Sequence, residues 1–472
     1  MRKFWPEYIT LILFGCLLAF AIPFHEPWAD EAQAWMLARS LTVWQLFHTY
    51  LRYEGSPGLW HLLLWLLVRL HVSYTGMHWV CGLIAFGGIS VLVLCSPLPR
   101  WIKLVLPFTY FLAFQYAVVA RSYVLVPLLL FSIAALWDRS PVLVAFLLGL
   151  LANTAGHAAA IAIGFSLLYW IKRRHSATRS QLWKAAVVFC AMLIIGVWTA
   201  FPPHDVSFHP SSGVAIGLAR AGLALFWGSY TPSYLNLVAW PLIIVGIRRR
   251  SDIYFLLPIA ALMLFSAAVD LNFWHSGLIV PVLVAILWLT WPSIEAAQQK
   301  SELILQCSIA VLLLIQVGWT AYAVVYDHYR DYSPNLAASR FLAPYVAKGN
   351  SVAVTYLRDS GIQAFDSVGL APYFPQKLYM NQETPFWWWS THDYTEANFL
   401  AALRTHPGVI MVEYFDVVNL VSSRDLNNAK VRLIESNGYQ LTATFCATRP
   451  ERFGTREVFC HLFYLPNTVG IR

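Results

Sequence analysis

His25-Glu26-Pro27-Trp28-Ala29-Asp30-Glu31-Ala32-Gln33-Ala34-Trp35 follows the first long apolar run and places three carboxylates, Glu26, Asp30 and Glu31, at the mouth of a membrane segment. Removing an ionised carboxylate from water is costly unless it is paired or has a task. The stretch therefore predicts a lipid–water boundary and a site to which something is brought. Asp30-x-x-Gln33 also has the spacing of a capping box, which predicts an amphipathic helix over 31–41 with Asp30 at its start. The two roles are compatible, because a helix N-terminus holds a carboxylate rigidly and presents backbone N–H groups to an anion.

Outward from this stretch, composition sets the class. Of the residues, 58% are hydrophobic and 12% are charged, and the mean hydropathy is +0.58. Those values imply a polytopic α-helical membrane protein. The 21 tryptophans and 23 tyrosines suit anchoring at the two interfaces. The net charge of +8 is then a matter of loop topology, and nucleic acid is excluded as a partner.

Apolar runs near 8–24, 77–96, 103–119, 122–137, 141–155, 157–171, 184–201, 232–247, 253–269, 273–291 and 303–325 approach the ~20 residues a spanning helix needs. They predict about 11 to 13 spans. The shorter run 58–70 is expected to lie along the outer interface. Ala19-Phe20-Ala21 has the spacing of a signal cleavage site, yet the many later runs favour a retained anchor.

Basic clusters orient the chain, since Lys and Arg stay cytoplasmic. Arg2/Lys3, Arg100/Lys103, Lys172-Arg173-Arg174, Arg248-Arg249-Arg250 and Lys300 are assigned to that side. Threading between them puts the N-terminus inside. It puts the Asp30/Glu31 loop, Arg121, Asn153/His157, His204/Asp205, Asp270/His275 and the C-terminal region outside.

The composition changes after Tyr326. Residues 1–326 read as the transmembrane domain, with a first external loop at 25–57, and 327–472 as an extracytoplasmic α/β domain. Strand-like segments at 352–356, 409–415, 440–446 and 458–465 alternate there with polar helical stretches such as 395–405 and 423–437. Five cysteines sit in apolar runs. Cys446 and Cys460 instead flank a turn-like stretch, Arg449-Pro450-Glu451-Arg452-Phe453-Gly454, and a disulfide there would contribute about 3 kcal/mol on an oxidising side of the membrane.

Further candidates surround the acidic loop. Tyr53-Glu54-Gly55-Ser56-Pro57-Gly58-Leu59-Trp60 ends it with another acid between flexible residues, either an interfacial turn or a second wall of a cleft. Arg121 is suited to bidentate phosphate bonds, although a snorkelling interface arginine looks the same in sequence. His157 and His275 read equally as satisfied polar groups at helix ends. His204, Asp205 and His209 have a metal-like spacing without a convincing further ligand, so the loop reads as a possible lid. Phe386-Trp387-Trp388-Trp389-Ser390 is read as packing of the outer domain against the membrane more readily than as a sugar-stacking surface.

Asp30-Glu31 after the first span, Glu54-Gly55-Ser56-Pro57-Gly58-Leu59-Trp60, Ala120-Arg121-Ser122-Tyr123 and Gly156-His157 together resemble the GT-C-type membrane glycosyltransferases. That superfamily includes protein O-mannosyltransferases and lipid A aminoarabinose transferases. The plan of many spans followed by an external α/β domain is also similar. Two departures stand out: Ser56-Pro57-Gly58 replaces a pair of adjacent prolines, and no Asp-x-Asp-like metal motif lies near Arg121. The resemblance implies an inverting transfer of a sugar from a polyprenyl-phosphate donor, with Asp30 as general base and Glu31 helping to position the acceptor. Arg121 is the leading candidate to meet the donor phosphate, and Glu54, Tyr123, His157 and His275 are the other candidate substrate-binding residues. The acceptor is left open among glycan, lipid and protein. No cofactor is required and no metal residues are assigned, with a divalent ion left open. A bacterial inner membrane is the implied location. The competing classes are a transporter of a lipid-linked or small polar substrate, which would place ionisable groups at mid-membrane, and a non-catalytic scaffold.

Overall fold

The computed structural model describes residues 4–206, 244, 252–269, 273–295, 299–357, 366–390, 396–416, 428–452 and 455–467. The architecture is mostly helical, with a small sheet near the C-terminus. Four stretches among the described residues are long and apolar enough to cross a membrane: Gly76–Cys95, Arg179–Ala200, Trp274–Trp291 and Leu303–Tyr329.

The expected count of 11 to 13 spans is not supported among the described residues, because breakers inside the apolar runs decide helix length. The run near 103–119 becomes the short helix Arg100–Val105, a 3-10 turn at Leu106–Phe108 containing Pro107, and a π-helical turn at Phe111–Gln115. Proline lacks the N–H that would continue the helix. The next two runs give Leu125–Ala135 and Pro141–Ala152, which are 11 and 12 residues long. At 1.5 Å per residue they reach about 17 and 18 Å, well short of the ~30 Å hydrocarbon core. Trp5–Ala21 has 17 residues. Gly156–Arg173 has 18 residues but carries His157 at one end and Lys172 and Arg173 at the other. The run near 232–247, Arg248 to Arg250, Asp270 and His209 lie outside the described residues.

The short run after the first loop forms Leu59–Arg69, which buries Trp60, His61, Leu64 and Leu67 and leaves its other face open, as expected of an amphipathic helix. Its start is fixed by a turn that needs glycine: Gly55 has φ +58°, the left-handed region that ends the preceding turn Leu51–Glu54. Elsewhere glycine sets a close approach. A Cβ on Gly164 would come within 2.5 Å of the Pro258 Cα, so Gly156–Arg173 and Leu257–Ala268 meet almost backbone to backbone.

The C-terminal sheet has strand order β1-β2-β4-β3, with β1 Val352–Tyr356, β2 Val409–Asp416, β3 Tyr439–Arg452 and β4 Thr455–Pro466. β1 and β2 are parallel and the other pairings are antiparallel. The parallel pair requires a crossover, and the helix Glu396–Arg404 lies within it. Alternation along β2 serves both faces. Val409 and Met411 pack with Leu342 and Phe463 on one side, whereas Ile410, Val412 and Tyr414 pack with Phe399, Val431 and Ile434 on the other. Both faces being covered explains why β2 reads as a continuous apolar run.

The region that carries this sheet is anchored to the first loop. Arg39 donates to the carbonyls of Ala371, Pro372 and Phe374, and Asn335 Nδ2 donates to the Pro27 carbonyl at 3.4 Å. Cys446 faces Cys460 across β3 and β4, and the two are joined as a disulfide with a sequence separation of 14. Closing a loop of that size stabilises the folded state by about 3 kcal/mol. The Cys446→Ser/Cys460→Ser variant should lose about that much stability, read as a lower melting temperature in detergent. Alkylation of both thiols in unreduced, denatured wild-type protein would contradict the pairing.

Candidate functional site

The helix over Ala29–Ser40 starts two residues earlier than the sequence spacing predicts, and this shift reassigns its acids. Trp28 is extended, and its N–H donates to Glu31 Oε2 at 3.1 Å. Glu31 thus satisfies the helix start, and Asp30 is released from the capping role expected for it. Both carboxylates lie in the first turn, where the helix dipole favours negative charge. One step of helix turns the two side chains in different directions.

Asp30 turns toward Arg121. Its Oδ2 lies 2.8 Å from Arg121 Nη2, and the side chains keep 21% and 17% of their exposure. Arg121 sits at an extended position before the 3-10 turn Ser122–Val124, which leads into Leu125–Ala135. Its guanidinium lies 4.9 Å from the Trp274 ring, 5.2 Å from Tyr123 and 5.6 Å from Trp28. Such faces attract a cation through the ring quadrupole. Arg121 Nη1 is buried with no hydrogen-bond partner. Burial pushes the Asp30 carboxyl up against the opposing pull of Arg121 and Arg449. For Arg121, burial works downward but Asp30 outweighs it, so the guanidinium stays charged.

His275 packs edge-on against Tyr123 at 5.7 Å and stacks on His157 at 4.0 Å. Tyr123, His275 and His157 thus continue away from Arg121 as one aromatic row.

Glu54 reaches the same loop through Gln33. Gln33 Nε2 donates to Glu54 Oε1 at 2.7 Å and to the Trp387 carbonyl at 2.5 Å, and its Oε1 accepts from the Trp387 N–H at 2.8 Å. Gln33, expected as half of a capping box, is instead a bridge to the C-terminal region. Tyr53 donates to Asp205, which also accepts from Ser390 Oγ at 3.2 Å. Asp205 is engaged in this link, and the metal spacing it shares with His204 and His209 extends outside the described residues. The tryptophan run packs on the first loop: Phe386 lies against Tyr50, and Trp388 against Tyr50 and Tyr53.

Glu31 turns inward and is fully buried. Oε1 accepts from His78 Nε2 at 2.8 Å and the Ala120 N–H at 2.6 Å, and Oε2 lies 3.3 Å from His25 Nε2 in addition to its Trp28 bond. On its other ring nitrogen, His25 meets Asp327 Oδ2 at 3.0 Å. Burial works against the charged imidazole, yet Asp327 and Glu31 outweigh it and His25 is pushed up to about 10. The same two histidines hold Glu31 well below the usual carboxylate range despite burial. His25, Glu31 and His78 are a buried group able to hold a metal ion.

Arg449 is the residue that sequence reading missed beside Asp30. It stacks 3.8 Å from the Trp28 ring and 3.9 Å from Phe459, and pairs with Glu457 at 3.2 Å. Trp28 therefore carries two guanidinium groups, from Arg121 and Arg449. Nothing local signals this, because Arg449 comes from β3 and looks in sequence like part of a turn. His78 and Asp327 are equally silent, each a single polar residue near the end of an apolar run.

The fold and site define a mostly helical protein with membrane-like helices, a small C-terminal sheet and a paired acid and guanidinium where the two regions meet. No family model matches the sequence, and no curated protein matches it.

Burial pushes Glu54 up to about 8, with Asp30 adding to the effect and Gln33 and Arg121 opposing it. The folded state then keeps this proton while the unfolded chain, with an ordinary value of 4.5, releases it. Stability contributed at this position falls as pH rises from 4.5 to about 8, and the penalty is complete above that. Glu54→Gln should raise the melting temperature above pH 8 by about 2–5 °C and leave it unchanged near pH 4. An equal shift at both ends would show that Glu54 is not buried as the acid.

Proposed function

We propose that the protein is a membrane-embedded inverting glycosyltransferase that uses a polyprenyl-phosphate-linked sugar. The observation that carries this reading is the Asp30–Arg121 pair at 2.8 Å, partly open and walled by Trp28, Tyr123 and Trp274. A direct displacement needs a base beside the acceptor and a cation on the departing phosphate. Here both stand in one aromatic recess.

Asp30 removes the proton from an acceptor hydroxyl as that oxygen attacks the anomeric carbon from the face opposite the phosphate. The carbon–oxygen bond to phosphate breaks, its electron pair leaves with the polyprenyl phosphate, and the configuration inverts. The partnerless Nη1 of Arg121 supplies a donor to the phosphate, and the incoming anion competes with Asp30 for the guanidinium. Raising the Asp30 carboxyl above its usual range makes it a better proton acceptor than a solvent-exposed aspartate. Glu31, spent on four donors, acts by positioning Asp30 rather than by touching the acceptor. Glu54 supplies a carboxyl to a sugar hydroxyl, and Tyr123, His275 and His157 line the substrate side. The acceptor is a glycan, lipid or protein outside the cytoplasm.

In this reading the shorter apolar helices complete a polytopic domain over 1–326 in a bacterial inner membrane. The N-terminus is cytoplasmic and the sheet-bearing C-terminal domain extracytoplasmic, the side on which a disulfide persists.

Transfer of labelled sugar from a panel of polyprenyl-phosphate donors should be seen with purified wild type. Asp30→Asn, with an unchanged melting temperature, should reduce it by about 10²–10⁴. Equal rates in the two proteins would remove Asp30 as the base. A folded wild type that neither transfers nor hydrolyses any donor, yet moves one across proteoliposomes, would make the protein a transporter.

A further inference from the structure

We propose that His25, Glu31 and His78 form a zinc site at the base of the first loop, separate from the Asp30–Arg121 recess. The three residues are buried and their ligating atoms all lie within 4.8 Å of one another. They come from three elements: His25 from the loop after Trp5–Ala21, Glu31 from the first turn of Ala29–Ser40, and His78 from the first turn of Gly76–Cys95.

The distances suit a tetrahedral ion. Zinc bonds of about 2.0–2.1 Å set neighbouring donor atoms about 3.3 Å apart. His25 Nε2 is 3.3 Å from Glu31 Oε2, and His78 Nε2 is 2.8 Å from Glu31 Oε1. The two imidazoles meet different oxygens of the same carboxylate, and with all the ligating atoms within 4.8 Å an ion would draw the ring nitrogens together around it.

The surroundings are those that orient metal ligands. A ligating histidine usually gives its other N–H to a carboxylate or carbonyl. His25 Nδ1 does so, to Asp327 Oδ2 at 3.0 Å. Glu31 is held by the N–H groups of Trp28 and Ala120, which leaves its remaining lone pairs for a cation. Asp327 Oδ1 is buried without a partner, as a carboxylate would be when it serves a ligand rather than a structural bond network.

Two carboxylates, Glu31 and Asp327, converge on the same buried imidazole, His25, a setting that suits a divalent cation. On binding, the Nε2 protons give way to the metal: that of His25 leaves for solvent, because Nδ1 already carries the proton given to Asp327, and that of His78 leaves for solvent or moves to its Nδ1. Two imidazoles and one carboxylate favour zinc over calcium or magnesium, whose preferred ligands are oxygen. The ion would join the loop that carries Asp30 to Gly76–Cys95 directly and, through Asp327, to Leu303–Tyr329.

The test uses full-length protein in detergent, stripped with a chelator, reloaded with zinc chloride and desalted. Elemental analysis should find one zinc per chain in wild type and in the control His175→Ala, which changes an exposed histidine outside the cluster, and none in His78→Ala. X-ray absorption of zinc-loaded wild type should show two imidazoles and oxygen ligation, and this decides the matter alone if His78→Ala does not fold. Absence of zinc from folded wild type, equal zinc in folded His78→Ala, or a spectrum without two imidazoles would overturn the site. The hydrogen-bonded histidine–carboxylate network would then be complete with protons. None of these measurements depends on sugar transfer.

Discussion

Everything near the first loop depends on where one carboxylate goes. Glu31 enters the interior with its charge and is met by two histidines and two backbone N–H groups. An ionised carboxylate left unpartnered there would cost several kcal/mol. Satisfying it ties together the loop after the first helix, the start of Gly76–Cys95 and the bend before Arg121. With those points held, Asp30 is turned toward the guanidinium of Arg121.

The recess is also a product of two regions of the chain. Trp28 is shared by Arg121 from the helical part and Arg449 from β3. Gln33 clamps Trp387, and Arg39 holds three carbonyls of the segment around Asp366–Tyr373. The C-terminal region is thus fastened to the acidic loop at several places. A rigid frame matters for any chemistry in which a base and a cation must be aligned to within fractions of an ångström.

Helix lengths show why apolar content overstates the number of described helices that are long enough to cross a membrane. A run such as 103–119 is apolar throughout, but Pro107 and the turns around it divide it among three short buried elements. Hydropathy measures whether a segment avoids water, which a protein interior satisfies as well as lipid does. The length of uninterrupted hydrogen-bonded helix is a separate matter, set by breakers and by tertiary packing.

The sequence by itself determined the apolar class of the chain, all four strands within a few residues except at the long β3–β4 hairpin, the pairing of Cys446 with Cys460 and a helix beginning beside Asp30. These follow from composition, period-two alternation and short-range spacing, which act locally. It also marked Arg121, Tyr123, His157, His275 and Glu54, without indicating that the first four form one row. Tertiary structure alone decided that Glu31 turns inward while Asp30 stays open, that Gln33 bridges instead of capping, and that His78, Asp327 and Arg449 converge on residues up to hundreds of positions away. A buried charge selects its partners by proximity after folding, and no local pattern records that choice.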